Sequence, residues 1–144
     1  MCGRFSLGAD GATLAAHFDL SDLPEWKPRY NLAPTQNTLT VLRVSSEGRR
    51  EWRRMRWGLI PSWAKDSAIG NRLINARAET VAGKPAFRQA LRERRCLILA
   101  DAFYEWEAQG RRKQPWCIRR KDGAPFAFAG LWDRWHDPNG KEVE

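Results

Sequence analysis

Apolar and polar positions alternate with two different periods along this chain of 144 residues. In residues 9–18 (ADGATLAAHF), Leu14 and Phe18 lie four apart, which is one face of a helix, and Asp10 is placed to cap it. Residues 20–34 are punctuated by Pro24, Pro28 and Pro34 and read as an ordered loop. Residues 38–44 (TLTVLRV) are β-branched and strand-like, and the SSEG turn at 45–48 folds them back onto residues 51–60 (EWRRMRWGLI). There Met55, Trp57 and Leu59 recur every second position, the period of a half-buried strand. After Pro61, residues 62–74 are irregular; residues 84–95 then set Phe87, Ala90, Leu91 and Arg94 at helical spacing. Three short apolar runs, 96–106, 116–120 and 125–132, complete the pattern as strands. Strands outnumber helices and lack regular helical crossovers. The predicted fold class is α+β, an antiparallel, barrel-like curled sheet core with a few short peripheral helices.

The length suits a single domain, and no run of about 18 apolar residues exists to cross a membrane. No apolar stretch follows the start MCGRF, so no secretory signal is read there and a cytoplasmic location is expected. Charge changes the picture more. The net charge is +8, 19 of the 25 basic residues are Arg, and there are 8 Trp. Arginine forks match phosphates and aromatic faces take bases, so the composition points to nucleic acid. A basic domain whose tryptophans fill its core fits the composition equally well. Cys2, Cys96 and Cys117 have no paired spacing, and His17 and His136 read as surface residues. Neither a disulfide framework, a metal nor a cofactor is expected.

Several residues could carry chemistry. Were Met1 removed, Cys2 would present an amine and a thiol on adjacent carbons. Such an amine attacks aldehydes, and the thiol then closes a five-membered ring. Glu105, between Tyr104 and Trp106, interrupts an apolar run and suits proton transfer; an outward-facing salt-bridged strand residue is the alternative. Arg4, Arg77 and the arginines of 49–56 are candidate phosphate contacts or a solvated face. Trp57 is assigned to the core by its alternation, and Trp63, after Pro61, is the better stacking candidate. The polar cluster at 75–79, opening with Asn75, is either a capping turn or a binding loop.

MCGRF at 1–5, YNLAPTQ at 30–36, WGLIPSWA at 57–64, NARAET at 75–80, CLILADAFYEW at 96–106 and FAFAGLWD at 126–133 follow in order along essentially the whole chain. Together they resemble the SOS response-associated peptidase (SRAP) family, the abasic-site processing proteins. The resemblance implies loss of the initiator Met and covalent trapping of abasic sites in single-stranded DNA as a Cys2 thiazolidine, in the DNA damage response. It implies that Asn75 orients the opened sugar and the cysteine, and that Glu105 is the general acid/base. Arg4 and Arg77 would hold phosphates, while Pro34 and Trp63 would pack against bases. The peptidase label would reflect release of the residue before Cys2, with strand-cleaving lyase activity possible in the family.

The family continues past its GLW[DE] motif into a further strand, a Thr-x-x-Ala-Asn segment and a His-x-Arg-Met-Pro motif. These 144 residues hold none of them, and His136, followed by Asp137-Pro138, does not match that histidine. The expectation is one domain over 1–144 without that segment, monomeric and nucleoid-associated through DNA. Two other readings stay open: a cysteine-type peptidase acting on proteins, and a non-catalytic single-stranded DNA-binding module.

Overall fold

The computed structural model describes residues 2–22, 26–44 and 48–144, so Pro24 and most of the 45–48 turn lie outside the described residues. Two four-stranded antiparallel sheets carry the core. The first orders β2 (Arg29–Leu32), β1 (Phe5–Leu7), β6 (Ala102–Gln109) and β7 (Arg112–Arg119). The second orders β4 (Arg50–Arg56), β3 (Asn37–Arg43), β5 (Arg95–Ala100) and β8 (Phe126–Leu131). A two-stranded hairpin of β9 (Trp135–His136) and β10 (Glu142–Val143) follows. The antiparallel α+β expectation holds, with the curled core made of two sheets rather than one closed barrel. Among the described residues, no helix is long and apolar enough to cross a membrane.

The first helix, α1 (Gly11–Phe18), forms as its pattern requires. Asp10 accepts the Thr13 amide at 2.8 Å, and Leu14 and Phe18 are buried on one face. The second helix, α2 (Arg88–Glu93), is shorter than the 84–95 pattern because Phe87 at its cap offers no side-chain acceptor. Residues 20–34 are not loop throughout, since β2 forms between Pro28 and Pro34 and pairs with β1. Residues 62–74 include a 3₁₀ turn at Ser67–Asn71.

Two strand boundaries differ from the sequence pattern for identifiable reasons. Residues 51–60 do not stay in one strand; β4 ends at Arg56, and Gly58 takes φ +118. A Cβ there would lie 2.5 Å from the Gly70 carbonyl oxygen, so only glycine allows this turn to meet the 3₁₀ segment. Residues 96–106 split into β5 and β6 at Asp101, and the halves join different sheets. The Asp101 carboxylate accepts the Ser6 hydroxyl and the Gly8 and Ala9 amides, which anchors the end of β1 at the crossing. The core between the sheets gathers Phe5, Leu7, Leu14, Leu32, Leu39, Trp57 and Leu99. Fully burying side chains of this size contributes about 1.5–3 kcal/mol each.

Candidate functional site

The N-terminal strand delivers the site. Phe5 of β1 is buried, pairs with Phe103 across β6, and packs its ring on Trp57 at 5.0 Å between centroids. With Phe5 fixed inward, Cys2, Gly3 and Arg4 run half-buried past the sheet end. The Tyr104 amide donates to the Arg4 carbonyl at 2.9 Å, so the segment keeps its register against β6 beyond the last paired strand residue. One step further along β6 stands Glu105, half-buried.

Asn75 reaches this strand from the other side. Its Nδ2 donates to the Cys2 carbonyl oxygen at 2.8 Å, across 73 residues of sequence. The approach is set by Trp57, whose indole N–H donates to the Ile74 carbonyl at 2.9 Å, and by the Leu59 amide, which donates to the Leu73 carbonyl at 3.1 Å. The Trp57 backbone also exchanges bonds with the Pro34 turn, through Thr35 N at 2.8 Å and Gln36 O at 2.9 Å. One buried tryptophan thus links the turns carrying Pro34 and Asn75 to the core beneath Cys2.

A cavity of about 280 Å³ opens beside Cys2 and Asn75 and runs over Phe5, Thr38 and Trp57. The Cys2 Sγ donates to the Arg4 carbonyl at 3.2 Å. Burial raises the thiol pKa above its ordinary value, and the nearby Glu105 carboxylate pushes it the same way. The thiol is therefore held protonated at neutral pH, and Glu105 lies within electrostatic reach of the reacting residue. Cys96 is buried and lines the same cavity, its pKa pushed up to about 12 by desolvation.

Of the residues singled out in the sequence, Cys2 meets Asn75 through a hydrogen bond and Glu105 through charge, whereas the Arg4 guanidinium turns to Asn31. Arg77 stands exposed two residues beyond Asn75, at the start of a turn in which the Thr80 and Val81 amides donate to its carbonyl. Trp63 is 59% exposed on a braced loop. The Ser62 amide donates to buried Asp133 at 2.9 Å, and the Trp135 indole donates to the Ala64 carbonyl at 2.7 Å. Three arginines of the 49–56 run are held by bonds within the chain. Arg50 caps the Phe18 carbonyl, Arg53 pairs with Glu144, and Arg56 bonds Gly58 O and Asn71.

A second, open groove of about 510 Å³ lies on the outer side of the same strand, lined by Gly3, Arg4, Asn31, Trp106 and Lys113. Sequence reasoning passed over Asn31 and Lys113. Asn31 accepts from Arg4 Nη1 at 3.1 Å, a pairing that depends on β1 lying beside β2. Lys113 is brought there by the register of β7 on β6.

The SOS response associated peptidase (SRAP) pattern matches residues 1–144. The chain belongs to the SRAP family. Among SRAP relatives, the abasic site processing protein YoqW of Bacillus subtilis is 46% identical over 147 residues, covering 99% of this chain. The abasic site processing protein HMCES of Xenopus tropicalis is 32% identical, over 85% of this chain and 44% of its own. A crystal structure of a protein from Bordetella bronchiseptica superposes with a TM-score of 0.83 at 28% identity, over 99% of this chain and 68% of that one. One from Bacteroides thetaiotaomicron gives 0.82 at 26%, over 99% and 65%. The chain spans 65% of the length of YoqW, just under two-thirds.

The Asn75 bond is open to direct test. Asn75→Ala should loosen the Cys2 segment, because the Cys2 carbonyl loses the Asn75 amide, and the amides of residues 2–4 should exchange with solvent about 10- to 100-fold faster. Asn75→Asp should not restore the protection, since a carboxylate accepts and cannot donate to a carbonyl. Hydrogen exchange followed by mass spectrometry would measure both, and unchanged exchange in Asn75→Ala would mean that this bond does not hold Cys2 in place.

Proposed function

We propose that this chain captures abasic sites in single-stranded DNA through a covalent bond to Cys2 once Met1 has been released. The observation that carries the reading is the convergence on Cys2: Asn75 bonds its carbonyl at 2.8 Å while Glu105 acts on its thiol through charge. While Met1 remains attached the Cys2 nitrogen is an amide, so its release is the peptidase step. A free α-amine ordinarily keeps a neutral fraction at physiological pH, enough to attack an aldehyde, and sulfur can close the ring only once the imine has formed.

The chemistry then follows in order. The neutral amine adds to the C1′ aldehyde of the ring-opened sugar, giving a carbinolamine. The Glu105 carboxylate takes the proton from the carbinolamine nitrogen and delivers it to the departing hydroxyl, water leaves, and a neutral imine remains. The Cys2 sulfur adds to the imine carbon, its proton passes to the nitrogen, and a thiazolidine closes. Arg4 and Arg77 supply positive charge for the flanking phosphates, and Pro34 and exposed Trp63 supply surfaces for bases. Sequence-independent contacts of this kind weaken steeply as salt rises.

The test is incubation of the Met-processed chain with an abasic oligonucleotide, followed by denaturing electrophoresis and peptide mapping. A heat-stable adduct on the Cys2 peptide is expected. An adduct at a lysine, or none, overturns the reading. A second reading, non-covalent binding of single strands, is favoured by the exposed Trp63, Trp106 and Trp116; salt-sensitive binding to intact oligonucleotides without any adduct would support it.

A further inference from the structure

The hairpin of β6 and β7 projects beyond the core, and all eight residues of β7 are exposed. Its register sets Trp116 directly opposite Glu105, with Ile118 opposite Phe103 and Gln114 opposite Glu107. Directly opposed residues of an antiparallel pair share a face. Phe103 turns inward onto Phe126 and Phe128, so this is the face that becomes the core at one end. Trp116 stands on it where the core gives way to the site, 53% exposed and one cross-strand position from the acid/base.

The ring is not free to swing, because its Nε1–H donates to the Glu107 carboxylate at 3.0 Å. An indole fixed by its edge and open on its face is a stacking platform. Arg112 lies on the same face four residues away, and Arg111, Lys113 and Arg119 add positive charge to the hairpin. An apolar ring in a cationic setting complements a base carried on a phosphate backbone, rather than an acidic peptide without rings.

We propose that Trp116 stacks on the base adjoining the abasic sugar and so holds the lesion over Glu105 and Cys2. The inference rests on the reading of Cys2 as the capturing residue, yet its test reads base stacking independently of the adduct. Oligonucleotides carrying 2-aminopurine on the 5′ or the 3′ side of the lesion, and an intact one carrying it at the same position, would be titrated with the native chain, Trp116→Ala and Trp116→Phe. Stacking quenches 2-aminopurine, so quenching is expected with the native chain and Trp116→Phe on one side of the lesion. With Trp116→Ala it should be lost and affinity should fall about 10- to 100-fold. Trp116 is exposed, and an unchanged melting temperature would confirm that the variant folds. Equal quenching and affinity in the native chain and Trp116→Ala overturn the proposal. If no adduct forms but quenching depends on Trp116, the capture reading fails and the stacking site stands.

Discussion

A Cys2→Ser chain with Met1 removed is expected to grip abasic DNA only transiently. Asn75 bonds the backbone carbonyl of residue 2, so serine keeps both the position and the free amine. The amine still condenses with the sugar aldehyde, and borohydride should trap the imine in amounts comparable to the native chain. The second step fails, because a hydroxyl is a far weaker nucleophile than sulfur near neutrality. Ring closure is also where a neighbouring group contributes most, since intramolecular attack carries a large effective molarity. Heat-stable adduct without borohydride should therefore fall by about two orders of magnitude or more. Denaturing gels with and without reduction give the comparison directly. Equal heat-stable adduct in Cys2→Ser would mean that sulfur takes no part.

The contrast between amine and sulfur is local chemistry and can be read from two residues of sequence. The geometry around them was legible to different degrees. The helix at 11–18 follows from Asp10, Leu14 and Phe18 because both its cap and its face are contained within ten residues. The division of 96–106 between two sheets could not be read this way. Asp101 is a single polar residue in an apolar run, and its partners Ser6, Gly8 and Ala9 lie 92 to 95 residues away. Strand β1 escaped because three buried residues are too few to display a period. Strand β2 was masked by Pro28 and Pro34, which mark its ends rather than its absence.

The site divides along the same line. Trp57 was assigned to the core by alternation, and it is buried; its role in linking the Pro34 and Asn75 turns arises only from bonds made after folding. Cys2, Glu105 and the cluster at Asn75 are each singled out by residue chemistry, but only the family motifs give them roles in one site, since no pattern in the sequence brings positions 2, 75 and 105 together. Trp116 was invisible as a site residue for a related reason. Its significance depends on the β6–β7 register, which sets it against Glu105.

That register makes Glu105 the residue whose change has two separable consequences. Glu105→Gln keeps the size of the side chain and removes its charge and its capacity to take up and return a proton. Imine formation should slow by about 10²- to 10⁴-fold, the range for a positioned general acid/base. The same substitution should act on sulfur in the opposite direction. The negative charge of Glu105 raises the Cys2 thiol pKa, so removing it lowers that pKa toward the ordinary value, with burial still holding it up. Thiolate then forms at lower pH, and alkylation of Cys2 by iodoacetamide should reach its midpoint at lower pH in Glu105→Gln than in the native chain. Because exposed Cys117 also reacts, the measurement must follow the Cys2 peptide by mass spectrometry. Slower capture together with an earlier thiol titration is a signature that general destabilisation does not produce, since unfolding would expose Cys2 and Cys96 alike. A midpoint that does not move would place Glu105 too far from the sulfur to act on it, and an unchanged capture rate would assign the proton transfer to another group.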